Sequence, residues 1–521
     1  MSRRSSFPLV MIIFDGWGIA PRGPGNAIAL AKTPVMDTLA KTYPSTTLAA
    51  AGSAVGLPTN QAGNSEAGHM NIGAGRVVEQ DSIRISRSIN EGTFFKNAAF
   101  QAAVRHVQKH RSQLHLIGLL TEQQSAHADP DHLLALLTLA RTMHVSPVQL
   151  HLFTDGRDSP PTASIRLLRR LEPSLQSGES IATIIGRFYA MDRKKVWSRT
   201  KRAYEAMVLG QGRLVATAEE AILAGYDRGL TDEFIEPTVV ADPRQRRIQS
   251  NDAVIFFNLR SDRARQLTKV FVQERFTDQN PDAFKREHRP RNILFVAMTD
   301  FGPDLGEIYT AFPSVDLYST FPVILRRYCQ LYVAESEKFA HVTFFFNGGY
   351  DKPVAGENRV LIASPGVSSY DAAPEMSVRR ITSFVVNDLQ RQEHDVVVVN
   401  FANPDMIGHT GNLRAAVKAI EAVDQCVGQI RDAVIARAGT LVITADHGNA
   451  EEMLTPDGKS VSTEHTTNPV PFSIVTPKPL PLKLRTDGRL ADVVPTVLDL
   501  LGVTPPAVMT GQSLIVTDHA A

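Results

Sequence analysis

Short runs rich in Val, Ile and Phe recur along the chain between longer segments of helical period, the pattern of strands alternating with helices in an α/β sheet. These runs predict strands at Val10–Phe14, Leu114–Leu119, Val148–Phe153, Ala182–Ile185, Ala253–Phe257, Ile293–Met298, Val342–Phe346, Asp395–Asn400 and Leu441–Thr444. Several are apolar on both faces, as strands buried in a parallel sheet must be. The residues that follow them repeat a theme: Asp15, Asp155 with Arg157, Arg187, Arg260, Asp405 and Asp446 each stand just past a carboxyl end. Open parallel sheets bind ligands at that edge. Any one of these residues is explained by a solvated loop, but metal-ligand types in three places and arginines in three others point to a site.

Length changes the picture first. A chain of 521 residues exceeds the ~250–300 that one core usually fills, so two domains are predicted. Its 43% hydrophobic and 21% charged content is ordinary for a globular protein. With 55 basic against 54 acidic residues, no global field favours nucleic acid or an anionic membrane, and an acidic ligand must be recognised locally. Cys329 and Cys426 cannot form a disulfide framework. The apolar run after Arg3 and Arg4 is short and meets Asp15 rather than a small-residue cleavage site, and no stretch approaches the ~20 apolar residues of a membrane helix. A cytoplasmic protein that acts on a small molecule as a monomer, without nucleic-acid or membrane partners, is the expectation.

The carboxyl-terminal third carries the strongest chemistry. In FANPDMIGHTG, Asp405 and His409 are four apart, which on a helical turn puts both on one face. ADHGNAEE follows with Asp446 and His447 directly after a strand, and EHTTNPVPF adds His465. Carboxylates and imidazoles together suit Mn²⁺, Mg²⁺ or Zn²⁺, and the supply is sufficient for two ions. Near the amino terminus lie DGWG, with Asp15, and GNSEAGHMNIGAG, with Ser65 among small residues. A serine needs a base or a metal to become a nucleophile, and no GxSxG elbow surrounds Ser65, so metal activation is the natural model. The middle of the chain supplies Arg157 and Asp158 in DGRDSPPT, Arg187 and Arg193 in GRFYAMDR, and Arg260 and Arg263 in NLRSDRARQ. Guanidinium forks bind carboxylate and phosphate oxygens in pairs.

GNSEAGH, GRFYAMDR, NLRSDRARQ, ESEKFAHVTFFFNGG, NPDMIGHTG and ADHGNAE occur together and in order, and over nearly its whole length the chain resembles the cofactor-independent (2,3-bisphosphoglycerate-independent) phosphoglycerate mutases of the alkaline phosphatase superfamily. The resemblance implies interconversion of 3- and 2-phosphoglycerate, a step of glycolysis and gluconeogenesis, through a phosphoserine on Ser65. It implies one metal held by Asp405, His409 and His465 and another by Asp15, Ser65, Asp446 and His447, with Mn²⁺ foremost and Mg²⁺ or another divalent ion the alternative. Lys338 would offset the charge of the transferring phosphoryl group. Arg157, Arg187, Arg193, Arg260 and Arg263 would hold the substrate, and Asp158 would handle a glycerate hydroxyl proton, unless it is a plain ion pair with an arginine.

In one segment the chain departs from the family, whose members usually read close to SDGGVHSH after the strand that here is LHLIGLL. This chain has TEQQSAHADPDH, with Gln123 and Gln124 in place of glycines and His127 in the place of a substrate-binding histidine. The order of motifs implies two α/β domains: a phosphatase-like metal-binding domain from 1–78 and 311–521, interrupted by a transferase-like substrate domain at 79–310. Linkers at Arg76–Gln80 and Thr310–Ser314 would form a hinge. The competing functions are a phosphomonoesterase of the same superfamily, which would release phosphate, and an inert relative acting as a binding protein.

Overall fold

The computed structural model describes residues 8–123, 125–240, 247–314, 317–455 and 457–516, so Arg3, Arg4 and Gln124 lie outside the described residues. The chain divides into two compact units, Met1–Gln80 with Asp316–Ala521 and Asp81–Val315. Each has its own sheet and its own apolar core.

In the first unit the strands lie in the order Asn358–Ile362, Gln330–Glu335, Val396–Phe401, Leu9–Phe14, Thr440–Ala445, Val470–Val475, Ser45–Ala49 and Gly488–Arg489. Leu9–Phe14 runs parallel to both of its neighbours and is buried along its whole length, which is why it is apolar on both faces. Its register decides the chemistry. Phe14 lies opposite Phe401 on one side and Ala445 on the other, so Asp15, the turn carrying Asp405, and Asp446 leave the sheet at one level of one edge. The helix Leu413–Ala436 buries its apolar side against that sheet's core.

The second unit orders its strands Tyr309–Phe312, Leu294–Thr299, Ala253–Phe256, Leu114–Leu120, Val148–Thr154, Glu179–Gly186, Thr238–Val240 and Arg213–Val215. The central pairings are parallel, and Asp155 and Arg187 follow directly on Thr154 and Gly186, which are register partners. Both units are therefore α/β, as the alternation of strands and helices predicts. Among the described residues no helix is long and apolar enough to cross a membrane.

The run Val342–Phe346, expected as a strand, is a correction: His341–Phe345 is a π-helical turn. Phe346 packs on Phe321 and Tyr332 and Val342 is fully buried, while Phe344 and Phe345 are half-buried, and a short apolar run of this kind cannot be told from a strand by periodicity. The strand Gln330–Glu335 was hidden for the opposite reason. Its Gln and Glu ends dilute the apolar signal, although both are buried, with Gln330 donating to the Pro322 carbonyl at 2.9 Å.

Ile12 is fully buried in the central strand. Ile12→Ala should destabilise the protein by about 2–5 kcal/mol. A guanidinium unfolding curve with an unchanged midpoint would contradict that placement.

Candidate active site

Four strand ends and one helix start build the site of the first unit. Ser65 opens the helix Ser65–Ala74, and the Asn64 side chain caps it by accepting the Ala67 N–H at 2.8 Å. The serine hydroxyl thus sits at the positive end of a ten-residue helix, where an anion is favoured. Gly68, one turn on, lets this helix approach the Asp446 strand end: a Cβ there would lie 2.5 Å from the Asp446 carbonyl oxygen. Gly16, at φ +72°, turns the chain beside Asp405, where a Cβ would fall 2.8 Å from the Asp405 Cα.

The Ser65 Oγ donates to Asp15 Oδ1 at 2.9 Å, accepts from Lys338 Nζ at 2.9 Å and lies 2.9 Å from His447 Nε2. Lys338 also reaches Asp15 Oδ1 at 2.6 Å and Asp405 Oδ2 at 2.7 Å. All five side chains are nine-tenths or more buried. Burial opposes the charge on Lys338, yet Asp15, Asp405 and Asp446 raise it well above the ordinary lysine value. Burial likewise opposes ionisation of Asp15 and Asp405, and Lys338 together with the neighbouring imidazoles holds both well below the usual carboxylate range.

His409 and His465 show what the site is built to hold. The Nδ1 of His409 faces the Thr463 carbonyl at 2.8 Å, and that of His465 faces the Gly63 carbonyl at 2.9 Å. Each Nδ1 carries the hydrogen, which leaves the Nε2 lone pairs inward. The two Nε2 atoms are 3.0 Å apart, and both face Asp405 Oδ1, at 3.3 Å for His409 and 3.1 Å for His465. Three electron-pair donors converge, and in a protein without metal only a proton can reconcile them: Asp405 accordingly raises the His409 imidazole above its usual value. A divalent cation fits the same donor set. Nearby, Asp15, Asp405 and His447 form a second convergent group, and Asp15, His69 and Asp446 a third. Asp446 Oδ2 is buried without a hydrogen bond, while its Oδ1 accepts the Gly16 N–H at 3.2 Å. A buried carboxylate oxygen without a hydrogen bond, with the His69 imidazole 3.1 Å away, is one that a cation would complete.

Four supports, Asn400, His69, Asn449 and Glu451, were not legible as site residues in the sequence. Asn400 donates to Asp15 Oδ2 at 2.8 Å and lies 3.1 Å from His69 Nε2, and His69 Nδ1 reaches the Ser65 carbonyl at 2.9 Å and Asp446 Oδ2 at 3.1 Å. Asn449 donates to Asp405 Oδ1 at 2.9 Å. Glu451 accepts the Gly18 N–H at 2.9 Å and the Asn468 amide at 3.0 Å, tying the DGWG turn to the loop after Asp446. Their one signal was the polar Asn400 inside an otherwise apolar run.

The second unit holds a separate cluster. Arg187 is buried, is paired with Asp155 and lies 3.3 Å from Asp158 Oδ1; its Nε has no partner. Burial raises Asp155, but Thr121 and Arg187 bring it below the usual carboxylate range. Arg263 is lowered by burial and by the guanidinium groups of Arg193, Arg187 and Arg157. Several guanidinium groups are thus held close together. Arg193 and Arg260 are exposed and face Asp262 at 2.6 and 3.5 Å, and Arg157 faces Glu233 at 3.4 Å. His127 is lowered to about 4 by burial and by Arg187, so its imidazole is neutral at pH 7, and its Nδ1 has no partner.

Comparison with known proteins supplies the lineage. A model of the Metalloenzyme superfamily matches residues 7–505. The 2,3-bisphosphoglycerate-independent phosphoglycerate mutase of Thermomicrobium roseum is 48% identical over 523 residues, 98% of each chain. This chain belongs to the 2,3-bisphosphoglycerate-independent phosphoglycerate mutase family. The mutase of the same name from Moorella thermoacetica is 48% identical over 515 residues, with 98% of each chain covered. A crystal structure of Leishmania mexicana phosphoglycerate mutase at low cobalt concentration superposes with a TM-score of 0.71 at 30% identity, covering 99% of each chain. The mutase family is thus matched over both units, and the Asp and His donors sit in a chain of metalloenzyme lineage.

Protons and cations compete at these ligands. Burial disfavours the charged form of His447, yet Asp446, Asp15 and Asp405 raise it from 6.5 to about 10. A raised folded value means that, without metal, its stabilisation is complete below 6.5 and is lost as pH rises through about 10. Chelator-treated protein should therefore melt at progressively lower temperature across that window. In calorimetric titrations, Mn²⁺ should bind more tightly at pH 8 than at pH 6; equal affinities would contradict the ligand set.

Proposed function

We propose that this protein interconverts 3-phosphoglycerate and 2-phosphoglycerate by carrying the phosphoryl group on Ser65, an isomerase reaction of the intramolecular phosphotransferase type. The observation that carries the reading is the Ser65 hydroxyl at 2.9 Å from Asp15, Lys338 and His447 alike, at a helix start. The family relationship supplies the reaction class. Asp405, His409 and His465 would hold one divalent ion and Asp15, Ser65, Asp446 and His447 another, with Mn²⁺ the foremost candidate. Bound there, the ions supply positive charge for the phosphoryl oxygens and for the serine oxygen once it has lost its proton.

The chain's own residues do the rest. Ser65, its proton released to solvent, enters and leaves the reaction as the bare oxygen: Oγ attacks phosphorus, and the bond from phosphorus to the glycerate oxygen breaks. Lys338 stands by as a fixed cation for the charge that develops. In the second unit, Arg187, Arg263, Arg157, Arg193 and Arg260 bind carboxylate and phosphate oxygens, and His127 contributes a neutral imidazole. Asp158 gives a proton to the departing glycerate oxygen and takes one from the other hydroxyl as that oxygen attacks phosphorus and the Ser65 bond breaks. A hydroxyl held in place has an effective molarity of ~10⁵ M or more, which is why return outruns hydrolysis. The metal-binding groups belong to a phosphatase-like domain and the arginines to an inserted transferase-like domain. One chain supplies every group named, which supports a monomeric enzyme, and the central-metabolic reaction supports a cytoplasmic one.

Ser65→Ala should abolish turnover of 3-phosphoglycerate, by at least about 10³-fold, while leaving the fold intact by circular dichroism. Unchanged turnover would refute the serine route. Metal-loaded protein given 3-phosphoglycerate should form 2-phosphoglycerate; inorganic phosphate as the dominant product would make it a phosphomonoesterase instead. Chelation should remove activity and Mn²⁺ restore it, and full activity in a metal-free preparation would contradict the ligand roles.

A further inference from the structure

The segment in which this chain departs from the family pattern brings a hydroxyl to the second unit's cluster. Ser125 Oγ donates to Asp158 Oδ2 at 2.6 Å and accepts the His127 N–H at 3.1 Å. Ser125 is 9% exposed and the Asp158 side chain 28%, so the hydroxyl holds one oxygen of a carboxylate that solvent also reaches. The rest of Asp158 is fixed from elsewhere. Its N–H donates to Asp155 Oδ1 at 3.2 Å, and its Oδ1 lies 3.3 Å from Arg187, which Asp155 also holds. Asp155 is itself fixed by the Thr121 hydroxyl at 2.6 Å.

Backbone and one oxygen are thus set by the Asp155–Arg187 pair. What remains free is the rotation of the carboxylate plane, which for an aspartate is broad and roughly two-fold. A single donor to Oδ2 decides it. Proton transfer demands hydrogen-bond reach and alignment at the oxygen that gives or takes the proton, so a carboxylate free to turn spends less time in the productive plane.

We propose that Ser125 is a positioning residue for the mutase reaction: its hydroxyl fixes the plane in which Asp158 exchanges a proton with the glycerate hydroxyls. The proposal rests on the reading of Asp158 as the proton-handling group. It also explains how a loop carrying Gln123 where relatives carry glycine sustains the same chemistry, since the segment supplies its own anchor through Ser125 to both Asp158 and the His127 backbone.

A double-mutant cycle on full-length, Mn²⁺-loaded protein tests it, with kcat and KM for 3-phosphoglycerate and thermal midpoints measured for Ser125→Ala, Ser125→Thr, Asp158→Asn and the double variant Ser125→Ala/Asp158→Asn. Ser125→Ala should lower kcat about tenfold with a smaller change in KM, the loss expected for one charge-assisted hydrogen bond. Ser125→Thr, which keeps the hydroxyl, should restore most of it. In the Asp158→Asn background, where proton exchange is already lost, Ser125→Ala should cost nothing further. The same tenfold loss in both backgrounds would overturn the proposal alone, as would a lowered thermal midpoint with normal kcat. Wild-type turnover by Asp158→Asn would overturn the reading of Asp158, and the proposal with it.

Discussion

Three carboxylates, Asp15, Asp405 and Asp446, emerge from strand ends that the parallel register brings level, and they do so where water is excluded. Concentrated buried negative charge is costly unless it is matched. In the protein alone the matching comes from Lys338, which touches two of the three, and from the imidazoles of His409 and His447, whose charged forms the carboxylates favour. Divalent cations match it better, because the imidazole and carboxylate lone pairs already converge. Ser65 is placed in the same field, kept against Asp15, Lys338 and His447 by a helix whose close seating on the Asp446 strand end depends on Gly68.

The second unit solves the complementary problem. Burial, and the neighbouring arginines after it, lower Arg263, and the buried Arg187 keeps an unpartnered Nε. Asp155, Asp158, Asp262 and Glu233 offset part of that charge. A phosphoglycerate carries both a carboxylate and a phosphate. The neutral His127 and the Ser125-anchored Asp158 add hydrogen-bonding groups that carry no further positive charge into the cluster.

In the first unit, residues that spacing did not mark hold the site residues in place. Asn400 bridges Asp15 and His69, Asn449 steadies Asp405, and Glu451 ties together two loops that are more than 400 positions apart in sequence. None of these contacts could be read from spacing, because each joins strand ends whose neighbours are set by sheet order. The π-helical turn at His341–Phe345 makes the same point from the other side. A short apolar run does not say which backbone the segment adopts.

By itself the sequence determined the α/β class, since buried parallel strands require apolar residues on both faces, and it determined the chemical character of the strand-end loops, since Asp, His, Ser and Arg carry their chemistry wherever they are placed. The motif order was sufficient to indicate the family. Only the tertiary structure decided which loops meet. The register that sets Phe14 beside Phe401 and Ala445 brings Asp15, Asp405 and Asp446 together, and Ser125 finds Asp158 only across neighbouring strand ends. The physical reason is that pairing in a sheet depends on burial summed over whole strands, a quantity that no local window of residues contains.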